Sequence, residues 1–388
     1  MQVSTLCHKL LLGSTHLKRL NTIKDVVSTS LTYKTLSATK VARKLKGRAK
    51  TKSNIRKVER LLSNEKLLKD IPNLYSAVNE FIIKNPRPYL NIDASKLLNS
   101  KFYTLRATLH LKARGITVYE TVYELKEQGS QKLYKRFLKG LFESLPNNCS
   151  PILVSYAEFR VPWFQLVLSK GWDFIGRVRG EKNINLEKKD KGFIKVSKLF
   201  RVQKLDTPKH LGDGVLNKTN PMHGFFYQYK TKPKDRHAYT RSGRHSETEK
   251  SKKYAKSHRE AWILFSSLDM PASQVIKAYQ NRMTMEENFR DTKSARFGLG
   301  LDMTRSKKKK RYVVMLMIAM VVAAIAYLIG VIGEMNNLQY DYQANTIRSK
   351  RVLSRFFLGC EMVFREYSFR FSEFIQAIDF CISECTYD

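Results

Sequence analysis

The chain has 388 residues, 43% of them hydrophobic, enough for two or three domains with buried cores, which excludes a small disulfide scaffold and a disordered tail. Lysine and arginine number 71 against 34 acids, a net charge of +37; that is beyond what solubility needs and is expected of a chain that faces a polyanion, nucleic acid first. Five scattered cysteines (Cys7, Cys149, Cys360, Cys381, Cys385) with no C-x-x-C pair fit a reducing cytoplasm and argue against a disulfide framework or a zinc site. The N-terminal stretch has a three-leucine run but no small-residue cleavage pattern, so secretion is not suggested and a cytoplasmic, nucleoid-associated location is expected.

In chain order, residues 1–85 read as helical and basic. SATKVARKL starts at the N-cap candidate Ser37; after the turn-like KGRAKTK a second helix begins at Ser53, with Ile55, Val58 and Leu62 on one face and Arg56, Lys57 and Arg60 on the other. Two helices around a basic, glycine-bearing turn suit a DNA-end-binding domain, while a solvated basic face on an ordinary bundle fits the same pattern. From Pro86 to residue 180 the order is strand (RPYLNID), strand (FYTLRATLHL), strand (GITVYETVYEL), helix (Gln131 to Leu145), strand (PILVSY), helix (AEFRVPWFQLVLSKG) and strand (DFIGRVRG). This is the order of a ribonuclease H-like α/β fold, a mixed sheet with helices on its faces. Residues 181–269 read as a β-rich basic insertion, with strand-like GFIKVSKLF and GFFYQYK, the basic stretch Lys230 to Arg259, and AWILFSSL as its closing strand. Residues 270–335 are expected to complete the core. They start with a helix from Pro271 to about Lys293 and end with the apolar run Val313 to Gly333, which the basic run Lys307 to Arg311 precedes. That run is long enough for a membrane span, but its alanines and glycines in a highly charged chain favour a buried core helix, with no membrane. Residues 336–388 form a helical C-terminal segment whose Phe356, Phe357, Phe364, Phe371 and Phe374 make it the candidate contact between subunits.

Tyr279, Arg282, Glu286 and Lys293 are offset by three, seven and fourteen residues from the first, which at about 100° per residue brings all four to one helix face. One carboxylate among two cations and a phenol suits a divalent metal beside a phosphate; a wet amphipathic face is the plainer reading of the spacing alone. Gly298-Leu-Gly300 completes no dinucleotide fingerprint, and the eight histidines show no HxxxH spacing. Trp163 and Trp172 read as core aromatics, and Trp262 as packing the insertion onto the core.

The spacing Tyr279-x2-Arg282-x3-Glu286-x6-Lys293 satisfies the Y-(2)-R-(3)-E-(6)-K signature. With HLKRLN, ARKLKGRAKTKSNIRKVERLLSN, VPWF, GRVRG, FGLGL and QANTIRSKRVLS, it makes the chain similar to bacterial cut-and-paste insertion-sequence transposases of the DDE superfamily. Within them it resembles insertion-sequence family four, the type at the ends of a tetracycline-resistance composite transposon. The resemblance implies a ribonuclease H-like core whose three acids hold two Mg²⁺ or Mn²⁺ ions for in-line phosphodiester displacement. It maps the first acid to Asp93 and the third to Glu286, both metal ligands, and Tyr279, Arg282 and Lys293 to phosphate-gripping positions. It further implies double-stranded DNA as partner, both terminal inverted repeats and target, and a homodimer on paired ends. In the family the freed 3′-OH of a nicked end makes a hairpin, water reopens it, and the 3′-OH attacks the target.

The second acid departs from the pattern. Where the family has S-D-A-G-F-x-V-P-W, this chain reads Ser155-Tyr156-Ala157-Glu158-Phe159-Arg160-Val161-Pro162-Trp163. Phenols titrate near 10 and are poor ligands for a hard cation, so Tyr156 should cripple a two-ion site. Glu158, two residues on, would share a direction with position 156 in extended backbone and is the conceivable substitute. Two functions are therefore open: an active DNA transposase that cleaves and transfers strands, or a catalytically inactive end-binding protein of the same fold.

Overall fold

The computed structural model describes residues 1–388 except 113, 188–191, 202–203, 233–238, 241–243, 250, 253–254, 256–259, 345, 348 and 385–388. The chain divides into two units, Met1–Pro151 with Arg282–Asp388, and Ile152–Asn281.

In the first unit the N-terminal periodicity resolves into five helices: α1 (Val3–Leu11), α2 (Leu17–Thr32), α3 (Ala38–Lys44), α4 (Thr51–Leu62) and α5 (Glu65–Ile82). Ser37 is the N-cap residue of α3, although its hydroxyl accepts from no backbone N–H of the first turn. On α4, Val58, Leu61 and Leu62 face inward. β1 (Tyr89–Lys96), β2 (Phe102–Leu111) and β3 (Arg114–Glu124) follow as an antiparallel meander, then α6 (Gln131–Ser144). The second unit supplies β4 (Ile152–Ser155), α7 (Val161–Leu168), β5 (Asp173–Val178), β6 (Asn183–Leu186), β7 (Ile194–Lys195), β8 (Lys209–Leu216), β9 (Met222–Tyr229), β10 (Trp262–Ser266) and α8 (Ala272–Asn281). The chain then re-enters the first unit as α9 (Thr284–Lys293), α10 (Lys309–Met335), the short α11 (Gln339–Tyr342), α12 (Arg355–Phe364) and α13 (Phe371–Ser383). The order β1-β2-β3-α6-β4-α7-β5 is the ribonuclease H-like order the sequence predicts, in a mixed α/β fold.

The apolar run becomes α10, buried from Val314 to Gly333 inside the first unit. A helix apolar all round must be enclosed on every side, and α2, α4, α5, β3, α12 and α13 provide the enclosure. The approach of α12 is close enough to need glycine: a Cβ at Gly330 would collide with the carbonyl oxygen of Arg355, and one at Gly359 with that of Ala326. The guanidinium of Arg355 then ties three helices together, bonding Tyr327 Oη at 3.0 Å, Glu384 Oε2 at 2.6 Å and the carboxylate of Glu334.

A second polar tie fixes α9 on the meander. Arg106 of β2 is 1% exposed and pairs with Glu120 of β3 at 2.9 Å. Its Nη1 donates to Asn288 Oδ1 at 2.6 Å and Thr292 Oγ1 at 3.2 Å on α9, and Asn288 Nδ2 donates to the Gly115 carbonyl at 2.8 Å. Such a buried pair adds little net stability but admits one arrangement of its partners.

In the second unit β4 and β5 pair in parallel through α7, and the strands run in the order β4-β5-β10-β9-β8-β6-β7, all later pairings antiparallel. Phe164 stacks on Phe174 at 4.3 Å and Phe226 meets Phe265 at 4.8 Å to form its core; Trp163 and Trp172 are buried beside them. The sequence reading missed β6 and β8. The β8 segment KHLGDGVL carries two glycines and an irregular register between His210 and Gly212, which hides the alternation, while a Cβ at Gly214 would strike the Asn185 carbonyl of β6. GFIKVSKLF is a strand only at Ile194–Lys195, then a 3₁₀ turn. Much of Lys230 to Arg259 lies outside the described residues.

Two expectations need correction. The helix expected from Pro271 to Lys293 is two helices, α8 and α9, because at the join Met285 N–H bonds the Arg282 carbonyl at 3.0 Å and Glu286 N–H the Met283 carbonyl at 3.2 Å; these i→i+3 bonds tighten the backbone out of α-helical register. The helix expected from Ala157 starts only at Val161, since residues 156–159 form a turn closed by Phe159 N–H to the Tyr156 carbonyl at 3.2 Å.

Gly330→Ala tests the α10–α12 crossing. Helix propensity alone favours alanine by about 1 kcal/mol, whereas overpacking costs about 1–3 kcal/mol. Urea unfolding should show a net loss of stability; a gain would contradict the close crossing.

Candidate functional site

In the first unit the candidate site is built where β1 meets α9. Asp93 stands inside β1, opposite Arg106 of β2, and the strand continues to Lys96. Its Oδ1 accepts from Ala94 N–H at 2.8 Å and its Oδ2 from Arg282 Nη1 at 3.1 Å. Burial pushes the Asp93 carboxyl above its ordinary value, against the pull of Arg282 and the Ala94 N–H, and Glu286 adds to the rise. Glu286 is exposed on the first turn of α9. At the other end of α9, Lys293 Nζ donates to Ser95 Oγ at 2.6 Å and to the Lys96 carbonyl. Burial, with Arg106 second, pulls its ammonium down to about 8, while Asp302 and Glu120 oppose the shift.

The structure thus brings Asp93, Arg282, Glu286 and Lys293 together in one unit. Both cations are engaged by groups of β1. Sequence reasoning missed Ser95, Asp302, Arg106 and Asn288. A lone arginine inside the otherwise apolar FYTLRATLHL was the available signal for a buried polar tie; for Ser95 and Asp302 there was none.

Tyr156, Glu158 and Tyr279 lie in the second unit. Tyr156 follows β4 directly, half-buried, and its hydroxyl accepts from Arg179 Nη2 at 3.1 Å with that guanidinium 5.5 Å from the ring centroid. Glu158 is exposed on the turn of residues 156–159, so the extended geometry that would align it with position 156 does not hold there. Tyr279 of α8 is 3% exposed, its ring edge-on to Trp262 at 5.1 Å.

Among the described residues no three of His, Cys, Asp and Glu come together as a metal-holding group. Asp93 and Glu286 supply two carboxylates, and an oxygen of the first is already bound by Arg282. This donor set does not fit a two-ion site, which needs more anionic ligands than cations at its centre.

Elsewhere in the first unit, Arg56 and Arg60 of α4 are exposed, whereas Lys57 pairs with Asp25 at 2.6 Å. Of the C-terminal phenylalanines, Phe356 and Phe374 are core residues and Phe364 is 57% exposed.

The chain thus has a ribonuclease H-like order of elements, with an acidic strand residue beside an acid-bearing helix in the first unit. Residues 99–327 match the family described as Transposase DDE domain, more than half of the chain, and the protein belongs to that family. DDE transposases depend in general on divalent metal. A cryo-EM structure of a piggyBac transposase synaptic complex with hairpin DNA is similar at 14% identity, over 100% of this chain and 83% of that one, with a TM-score of 0.44. No curated protein matches the chain.

The lowered Lys293 value gives a pH test. A folded-state value of about 8, below the unfolded value near 10.4, means that the unfolded chain binds more protons between these limits, so this residue makes stability rise with pH across that window. Urea midpoints at pH 7.5 and 10 should show that rise reduced in Lys293→Met relative to the unaltered protein. Equal slopes would contradict the burial of a titrating ammonium.

Proposed function

We propose that this chain is a DNA transposase of the cut-and-paste insertion-sequence type, with the YREK signature of insertion-sequence family four, that binds terminal inverted repeats as a homodimer on paired ends but is crippled in cleavage at Tyr156. The observation that carries this reading is Tyr156 at the position where the resemblance expects the second acid, with its phenol bonded by Arg179. The absence of any three-acid group among the described residues supports it. Asp93, with Glu286, remains as the incomplete catalytic pair. Arg282 and Lys293 offer cations to a phosphate once they leave Asp93 and Ser95, and Tyr279 would need to leave Trp262 to join them. The exposed Arg56 and Arg60 are the DNA-end contacts of the 1–85 segment, with Lys57 a lesser one because Asp25 already neutralises it. The functional divisions are then 1–85 for end binding, 86–180 and 270–335 for the core, 181–269 for the insertion and 336–388 for the C-terminal segment.

Loss of metal charge stabilisation worth several kcal/mol predicts that the unaltered protein, given Mg²⁺ or Mn²⁺, nicks a duplex carrying its element's terminal repeat at least about a thousandfold more slowly than a relative with all three acids. Rapid nicking that Glu158→Gln leaves unchanged would sink the reading; residual nicking that this substitution abolishes would make Glu158 the second ligand. In anisotropy titrations, Arg56→Ala with Arg60→Ala should weaken binding to all sequences and flatten the salt dependence by about 1.8, or 0.9 per phosphate contact, with Lys57→Ala doing less. An unchanged slope would leave that helix face as solvated surface.

A further inference from the structure

The basic run Lys307 to Arg311 has no part in the site described above, and the helix it precedes is buried, so it is not explained as the flank of a membrane span. The structure sorts its residues into two kinds. Lys309 pairs with Glu127 at 3.6 Å, Lys310 with Glu65 at 2.6 Å, and Arg311 bonds both carboxylate oxygens of Glu59. These three seat the start of α10 on α4, α5 and the turn before α6. Arg305, Lys307 and Lys308 are exposed and take part in no ion pair among the described residues. All three line a cleft of about 600 Å³ in the first unit, between the 303–308 segment and the start of α3. Among the described residues Glu59 is the only acid in its lining, where Arg311 already neutralises it, and no aromatic ring lines it. The cleft therefore presents three uncompensated cations without a surface on which a base could stack.

We propose that this cleft is a second DNA-backbone contact, in which Arg305, Lys307 and Lys308 hold phosphates of duplex DNA without regard to sequence. The proposal rests on the transposase reading and extends it beyond α4 and the Asp93 patch. Uncompensated exposed cations release counterions when they meet phosphate, and this gives affinity with a defined salt slope. Among the described residues no aromatic side chain lines the cleft, so it offers no platform on which a base could stack.

The test uses the full chain and fluorescence anisotropy on two duplexes, one carrying the element's terminal repeat and one of unrelated sequence, across a salt series. The triple variant Arg305→Ala, Lys307→Ala, Lys308→Ala should flatten the slope of log affinity against log salt by about 2 to 3, or 0.9 per contact, equally on both duplexes. A control variant, Lys132→Ala, Lys135→Ala, Lys350→Ala, removes the same charge from exposed residues outside both the cleft and the 1–85 segment and should leave the slope within about 0.5 of the unaltered value. All substituted side chains are exposed, so thermal midpoints should match that of the unaltered protein. An unchanged slope in the cleft variant, a matching loss in the control, or an effect on the terminal-repeat duplex alone overturns the proposal while the transposase reading stands. Failure of the unaltered protein to bind either duplex overturns both.

Discussion

The first unit is organised by the need to enclose α10. A 27-residue helix with no polar face cannot lie on a surface, so elements far apart in sequence must close around it: α2, α4 and α5 from the N-terminal third, β3 from the meander, and α12 and α13 from the C-terminal end. Glycines at the α12 crossing and the Arg355 ties set the distance of closest approach. One consequence is that the N-terminal helices share a core with the C-terminal ones, so substitutions along α10 will be felt at the basic face of α4 as well.

The meander that packs on α10 also carries Asp93, and the Arg106–Asn288 tie sets α9 against the same strands. Burial makes Asp93 hard to ionise, and Arg282 is the group that offsets this. An acid beside metal ions would be held ionised by them; here a guanidinium does that work from within the chain. The two carboxylates of the patch, Asp93 and Glu286, stand against the two cations Arg282 and Lys293.

Much of this was legible in the sequence, for identifiable physical reasons. The three meander strands, α6 and β5 announced themselves through alternation, helical periodicity and turn residues, and the burial of α10 followed from its composition. The two-helix break at Arg282 did not, because residues 282–283 carry neither glycine nor proline and the tightening comes from backbone bonding at the join. β8 was hidden by its glycines. At the site, spacing put Tyr279, Arg282, Glu286 and Lys293 on one face of a single helix; the structure divides them between two helices and the join at Arg282, and spacing could not show that β1 engages both cations. Nor could it tell Lys309, Lys310 and Arg311, whose partners Glu127, Glu65 and Glu59 are about 180 to 250 residues away in sequence, from Lys307 and Lys308, which form no ion pair among the described residues.

The proposed function turns on Tyr156 as the substitution that cripples cleavage. The most direct measurement is metal-dependent nicking by Tyr156→Asp, combined with Glu158→Gly to relax the turn of residues 156–159, on a duplex carrying the element's terminal repeat. The account predicts that Mg²⁺-dependent nicking appears in this variant, by about a thousandfold or more over the unaltered chain, and disappears again when Asp93→Asn or Glu286→Gln is added. Nicking that remains after either of those additions, or a restored variant that binds Mg²⁺ and the duplex yet leaves the DNA intact, would contradict it.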